Sequence, residues 1–188
     1  MQPQSEKIRI IGAHVQPYCL AYLTKQPVKQ MPWLINTADL FQKTAADFKQ
    51  RIENCSEPEQ MFDEVEKTFL DNILVRDLSL ITNAIKLIND SSGNIQIADL
   101  AKQLGVSDRT IRIHFDTHVG CSPKEYISLV KLKQLAYQMK HSDDSLTSIA
   151  YDNNYFDQAH FIHEVKKITG KAPGALRKEM PDFRFLQF

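Results

Sequence analysis

The chain of 188 residues is 43% hydrophobic and 24% charged, and its 23 basic and 23 acidic side chains cancel to a formal charge of zero. No apolar run approaches the ~20 residues that span a bilayer, so no helical membrane anchor is expected, and bulk charge gives no attraction for nucleic acid. Cys19, Cys55 and Cys121 are far apart, odd in number and without a CxxC pair, which argues against both a disulfide framework and a zinc knuckle.

In chain order, MQPQSEKIRI has no basic-then-apolar leader, so a cytoplasmic location is expected. KIRIIGAHVQP (7–17) is rich in β-branched residues and ends at Gly and Pro signals, which predicts one or two strands. A strand cannot stand alone, so this stretch of a small α+β segment is expected either to pair with something outside the chain or to pack on the helices. Asn36 and Thr37 offer N-caps to a helix over 38–54, with Ala38, Leu40, Phe41, Ala45, Phe48 and Ile52 near helical spacing. Ser56 and Glu59 form a capping-box pattern for a second helix, with Pro58 in its first turn and Met61, Phe62, Val65, Phe69 and Ile73 as its stripe. From Leu78 onward the pattern is helical, at about 79–91, 97–104, 108–118, 123–141, 146–152, 157–169 and 173–179. The expected fold is mainly α, in three parts: 1–77, 78–180 and a tail, 181–188. Residues 1–77 carry 9 basic and 11 acidic groups and the remainder 14 and 12, too small a split to single out a DNA-binding half.

Residues 97–115, IADLAKQLGVSDRTIRIHF, follow a helix-turn-helix pattern. Ala101 is small enough for two helices to cross closely. Gly105 supplies a left-handed turn, Ser107 caps the next helix, and Ile111 and Phe115 face inward against Leu100 and Leu104. The pattern returns in SIAYDNNYFDQAHFIHEV (148–165). Ala150 lies 49 positions after Ala101, and Phe161 and Val165 lie 50 after Ile111 and Phe115. Asn154 takes the glycine position, since Asn also tolerates the left-handed conformation, and Asp157 replaces the serine cap. The tails repeat as well: HFDTHVGCSP against EVKKITGKAP, each with a Gly that stops one helix and a Pro that starts the next.

Two helix-turn-helix subdomains, about 97–118 and 146–169, are thus joined by a long helix of about 123–141. At 1.5 Å per residue the ~18 residues from Pro123 to Lys140 make a rod of about 27 Å. That is close to the ~34 Å between successive major-groove faces of B-DNA. One chain is then expected to read two consecutive groove segments without dimerising.

Positions 80–180 resemble the C-terminal DNA-binding domain of AraC/XylS-type transcriptional regulators. LAKQLGVSDRTIRIHF, GCSPKEYI and YFDQAHFIHEVKKITGKAPGALRK carry the resemblance, with Asp157, Gln158, His160, Phe161, Lys166, Gly170, Pro173 and Arg177 on the family's pattern. It implies a sequence-specific regulator acting on double-stranded DNA, with RNA polymerase as a candidate partner. IRIIGAHVQP, DLF and the helix pair that follows resemble, more distantly, the end of a sensory domain found in some of these regulators. That implies a small-molecule effector for residues 1–77. Oligomeric state stays open. Departures fall at Ile113 and His163, where the family often has Arg, at Val165 in place of an aromatic, and at Leu176 in place of Tyr. Each core exchange stays apolar, so the departures bear on the DNA sequence read and not on the fold.

With Ile111 and Phe115 inward, Arg109, Arg112, Ile113 and Asp116 share the outward face of the first recognition helix. Arg109 and Arg112 have the fork that fits guanine O6 and N7, Ile113 suits a thymine methyl, and Thr110 suits a phosphate. On the second helix Gln158, Ala159, Ile162, His163 and Lys166 face outward; Gln158 suits adenine, and Lys166 and Lys167 suit phosphates. His163 is either a contact or neutral surface. His160, beside the turn, is expected to make a local structural hydrogen bond.

Metal ligation is the competing use of the pairs His114/His118 and His160/His163, but zinc sites need three or four ligands and the pairs sit on separate helices. No nucleophile–base set or phosphate-cradling loop stands out. No enzyme activity, cofactor or metal is therefore expected. The alternative to a DNA-binding regulator is a helical interaction module that keeps the fold without specific DNA binding, a reading motivated by the neutral charge and the two absent arginines.

Overall fold

The computed structural model describes residues 12, 14–32, 34–41, 44–155 and 157–179. Among them are ten α-helices and no strand, so the expected α+β segment is corrected to a helical one over its described residues. Residues 7–11 and 13 of the strand stretch lie outside the described residues. Residues 14–17 find no neighbouring strand to pair with and lead into a 3₁₀ turn, Cys19–Tyr22, which Cys19 N opens by donating to Gln16 O (2.8 Å). A second 3₁₀ turn, Val28–Gln30, follows.

Helices α1 (Thr37–Phe41), α2 (Ala45–Asn54) and α3 (Pro58–Asp71) come next. The single helix expected over 38–54 is two. The Thr44 hydroxyl donates to Phe41 O (3.0 Å) and meets Asn72 Oδ1 (3.2 Å), and α2 starts afresh at Ala45. Asn36 Oδ1 accepts from Ala38 N (3.0 Å) and so begins α1. The α3 start is displaced by one residue from the expected box. Pro58 is its first residue, where the missing N–H costs nothing. The cap is therefore Glu57 and the side chain reaching back is Gln60, whose Oε1 accepts from Ser56 N (3.1 Å) and Glu57 N (3.4 Å). Arg51 clasps α2 to α3 by donating to Glu64 (2.7 Å) and to the buried Thr68 hydroxyl (3.1 Å), while Phe41 meets Phe48 and Phe69 edge-on.

The remaining helices are α4 (Ser79–Asp90), α5 (Ile97–Gln103), α6 (Asp108–His118), α7 (Pro123–His141), α8 (Leu146–Asp152), α9 (Gln158–Thr169) and α10 (Pro173–Glu179). They build two separate cores. The first holds Ile81, Ile85, Ile88, Leu100, Ile111, Phe115 and Tyr126, joined by Ala21 and Val28 from the 3₁₀ turns. The second holds Leu135, Met139, Ile149, Phe161, Val165 and Leu176. Helix α7 contributes to both, with opposite sides. Tyr126, Ile127 and Val130 pack into the first core and Leu132, Leu135, Ala136 and Met139 into the second. At about 100° per residue these two sets point roughly 180° apart. The two units therefore flank one helix. Gly93 (φ +77°) lets the α4–α5 turn rest on that helix, since a Cβ there would fall 2.8 Å from both Ile127 O and Lys131 N. No helix among the described residues is long and apolar enough to cross a membrane.

Candidate nucleic-acid interface

The two turns that present α6 and α9 share their backbone chemistry. Gly105 (φ +67°) and Asn154 (φ +58°) are both left-handed. The next N–H in each turn donates to a small residue of the preceding helix: Val106 N to Ala101 O (3.0 Å) and Tyr155 N to Ala150 O (3.1 Å). Each recognition helix then opens on a side-chain cap. Ser107 Oγ accepts from Thr110 N (3.1 Å), and Asp157 Oδ1 accepts from His160 N (2.6 Å). Such caps satisfy backbone donors that the first turn leaves unpaired. The same solution thus appears twice, 49 or 50 positions apart.

On α6, Ile111 and Phe115 are buried while Arg109, Arg112 and Ile113 are exposed, Ile113 by 51%. The Thr110 hydroxyl lies 2.9 Å from Ser107 Oγ, so it shares in the cap. On α9, Phe161 and Val165 are buried while Gln158, Ala159, Ile162, His163, Lys166 and Lys167 are exposed. His160 uses its N–H for the cap and lays its ring edge-on against Tyr155, 5.4 Å between centroids. Arg177 ties α10 to the segment after α7 by donating to Asp144 O (2.6 Å) and Ser142 O. Buried Asn153 joins the second turn to α7 through Gln138 Oε1 (2.5 Å).

Asp116, on the same face of α6 as the arginines, is held by Lys29 Nζ at 2.8 Å. That hydrogen bond, ahead of the Coulombic attraction, holds the Lys29 pKa above its ordinary value. Beside it Val28 fills the space over Gly120 (φ +90°), where a Cβ would come within 2.9 Å of Val28 Cγ1. The second 3₁₀ turn thus abuts the C-terminal end of the first recognition helix. Sequence reasoning missed this contact, because no periodic pattern links residues 87 positions apart.

The His114 and His118 rings lie 5.3 Å apart, and among the described residues no group of three or more His, Cys, Asp or Glu is placed to hold a metal ion. His118 Nδ1 is buried and finds no hydrogen-bond partner among the described residues. Burial first, then His114 and Arg76, hold the His118 pKa below the ordinary 6.5. The unfolded chain therefore binds that proton more tightly than the folded one, and stability present above pH ~6.5 is lost as pH falls toward the folded value. The melting temperature is expected to decline as pH falls below about 6.5, before the carboxylate range is reached, and His118→Gln is expected to flatten that decline. The same slope in both proteins would clear His118 of the effect. Nearby, burial and then the Glu125 and Asp116 charges push the Cys121 thiol up to about 11, which leaves it protonated and unreactive at neutral pH.

Residues 100–179 match a protein family described as a helix-turn-helix domain. The chain is 30% identical over 93 residues to the HTH-type transcriptional activator RhaS of Pectobacterium atrosepticum, covering 50% of this chain and 33% of that protein. It is 29% identical over 93 residues to the protein of the same name from Pectobacterium carotovorum subsp. carotovorum, with shares of 50% and 33%. The protein of that name from Mannheimia succiniciproducens is 29% identical over 91 residues, with shares of 48% and 34%. The chain thus spans about a third of the length of these curated relatives. No solved structure matches it significantly.

Proposed function

We propose that residues 100–179, which match a helix-turn-helix domain family, are the DNA-binding part of an AraC/XylS-type regulator, and that the chain is a sequence-specific DNA-binding regulator of transcription whose helices α6 and α9 enter successive major-groove segments of one duplex. The observation that carries this reading is the duplication: two turns and caps of matching geometry, mounted on one continuous helix, each beside an exposed face that contains basic side chains. The 19 residues of α7 extend about 28 Å, a span suited to neighbouring groove segments ~34 Å apart. Three relatives that carry the name of transcriptional activator support a regulatory role.

In this reading Arg109 and Arg112 contact guanine edges, Ile113 a thymine methyl and Gln158 adenine. Ala159 and His163 line the second groove segment, while Thr110, Lys166 and Lys167 position the duplex through its phosphates. Residues 1–77 act as the regulatory region, and RNA polymerase is the partner that activation or repression would address. Support for a regulatory role comes from Ala21 and Val28, which enter the first core, and Lys29, which pairs with Asp116. A small-molecule effector held by the N-terminal helices would bear on α6 through that turn.

Selection from a random pool of duplexes supplies the probe. Affinity for the recovered duplex is expected to fall steeply with salt as counterions return to the phosphates. Flat, weak binding to every duplex would instead identify a helical interaction module, the reading favoured by zero net charge and by the exposed Ile113 and Ile162. Arg112→Ala is expected to cost about 1–3 kcal/mol at one base pair and to relax preference there. A uniform loss over all sequences would make Arg112 a phosphate contact.

A further inference from the structure

Helices α7 and α9 meet through a polar contact that neither core requires. Ser128, on α7 just before its apolar side changes, donates to Glu164 Oε1 (3.3 Å). Glu164 stands on α9 between exposed His163 and buried Val165, at the border of the outward face. Glu164 also lies near enough to Tyr155, the buried residue that closes the second turn, for its charge to act on that phenol. Burial first, and then the Glu164 charge, push the Tyr155 pKa up, so the phenol stays a donor. Lys131 sets its Nζ 4.5 Å from the centre of the Tyr155 ring. The same stretch of α7 carries the α4–α5 turn of the first unit, through the close approach of Gly93 to Ile127 and Lys131. Both units therefore grip α7 where its two apolar sides change over.

Hydrophobic packing is non-directional and leaves a packed helix some freedom to roll. Hydrogen bonds to a carboxylate are directional. We infer that Glu164 is a positioning residue: by accepting from Ser128 across the boundary between α7 and α9 it sets the angle of the second recognition helix to α7, and with it the spacing between DNA segments that the two heads accept at once. This rests on the two-headed reading of the preceding subsection. A change of one base pair in spacing moves the second segment about 3.4 Å along the duplex, so a fixed angle discriminates and a loose one does not.

The 188-residue chain and its variants Glu164→Ala, Glu164→Gln and Ser128→Ala are titrated against the duplex recovered by selection, and against that duplex with one base pair inserted between the two contacted segments. The unaltered chain is expected to prefer the original spacing. Glu164→Ala is expected to surrender about tenfold of that preference, with base preference inside each segment unchanged. Glu164→Gln, whose remaining oxygen still accepts from Ser128, is expected to keep it, and Ser128→Ala to show a smaller loss in the same direction. Should Glu164→Ala fail to fold, as judged by its melting curve, Ser128→Ala on the linker helix carries the comparison. An unaltered chain indifferent to spacing refutes both this inference and the two-headed reading. A preference present there and fully kept in Glu164→Ala and Ser128→Ala refutes the inference alone.

Discussion

Phe161→Ala is expected to lower stability by about 3–5 kcal/mol. Phe161 is fully buried in the second core, with the Tyr155 ring edge-on at 5.2 Å and Leu135, Ile149, Val165 and Leu176 in the same cluster. Removing the ring loses its transfer energy and leaves a cavity that helices on three sides cannot close. A loss of that size corresponds to roughly 6–20 °C in melting temperature for a chain of 150–250 residues. The damage has an address. No side chain of the first core belongs to the second cluster, so amide exchange is expected to accelerate in α8–α10 while α4–α6 keep their protection. An unchanged melting temperature would mean that the phase of α9 is misassigned, and with it the outward placement of Gln158, Ala159, Ile162, His163 and Lys166.

Inserting one alanine between Lys131 and Leu132 is expected to leave both cores folded and to abolish two-headed binding. The insertion falls after the last α7 residue of the first core, Val130, and before the first of the second, Leu132. Each unit keeps its own apolar set, but the second is rotated by about 100° about the helix and moved by about 1.5 Å. Joining two binding units typically gains a factor of about 10²–10⁴ in affinity, a gain lost when geometry forbids both from engaging. Affinity for the selected duplex is therefore expected to drop at least a hundredfold, with the melting curve little changed. Undiminished affinity in the inserted chain would show that α7 does not set the relation between the heads.

The legible parts of this chain are those whose signals are local. Gly105, Ser107, Asn154 and Asp157 act within one turn of the backbone, through a left-handed φ or a cap bond spanning three residues. The helix-turn-helix pattern therefore reads directly from residue types. At α3 the reading slips by one residue: the sequence pattern puts the box at Ser56 and Glu59, whereas Pro58 takes the first helical position and so makes Glu57 and Gln60 the pair. The strand reading rested on β-branched residues, which favour a strand only where a partner strand exists, and the described residues 14–17 form none. Of the proposed interface, the residue types and their helical phase could be listed in advance. The pairing of Asp116 with Lys29 and the bond from Ser128 to Glu164 could not, because partners 87 and 36 positions apart leave no periodic trace.

By itself the sequence determined that there are two helix-turn-helix units, where each turns, and which apolar residues each needs, because caps, turns and helical stripes depend on neighbours within about one to three turns. Only the tertiary structure decided how the units stand to one another. The opposed apolar sides of α7 were written in the order of its residues, but their meaning came from Ile111 and Phe115 closing on one side and Phe161 and Val165 on the other. The seating of Val28 over Gly120 and of Gly93 on α7 was decided there too, since close approach between distant segments is a property of the packed chain and of no local stretch.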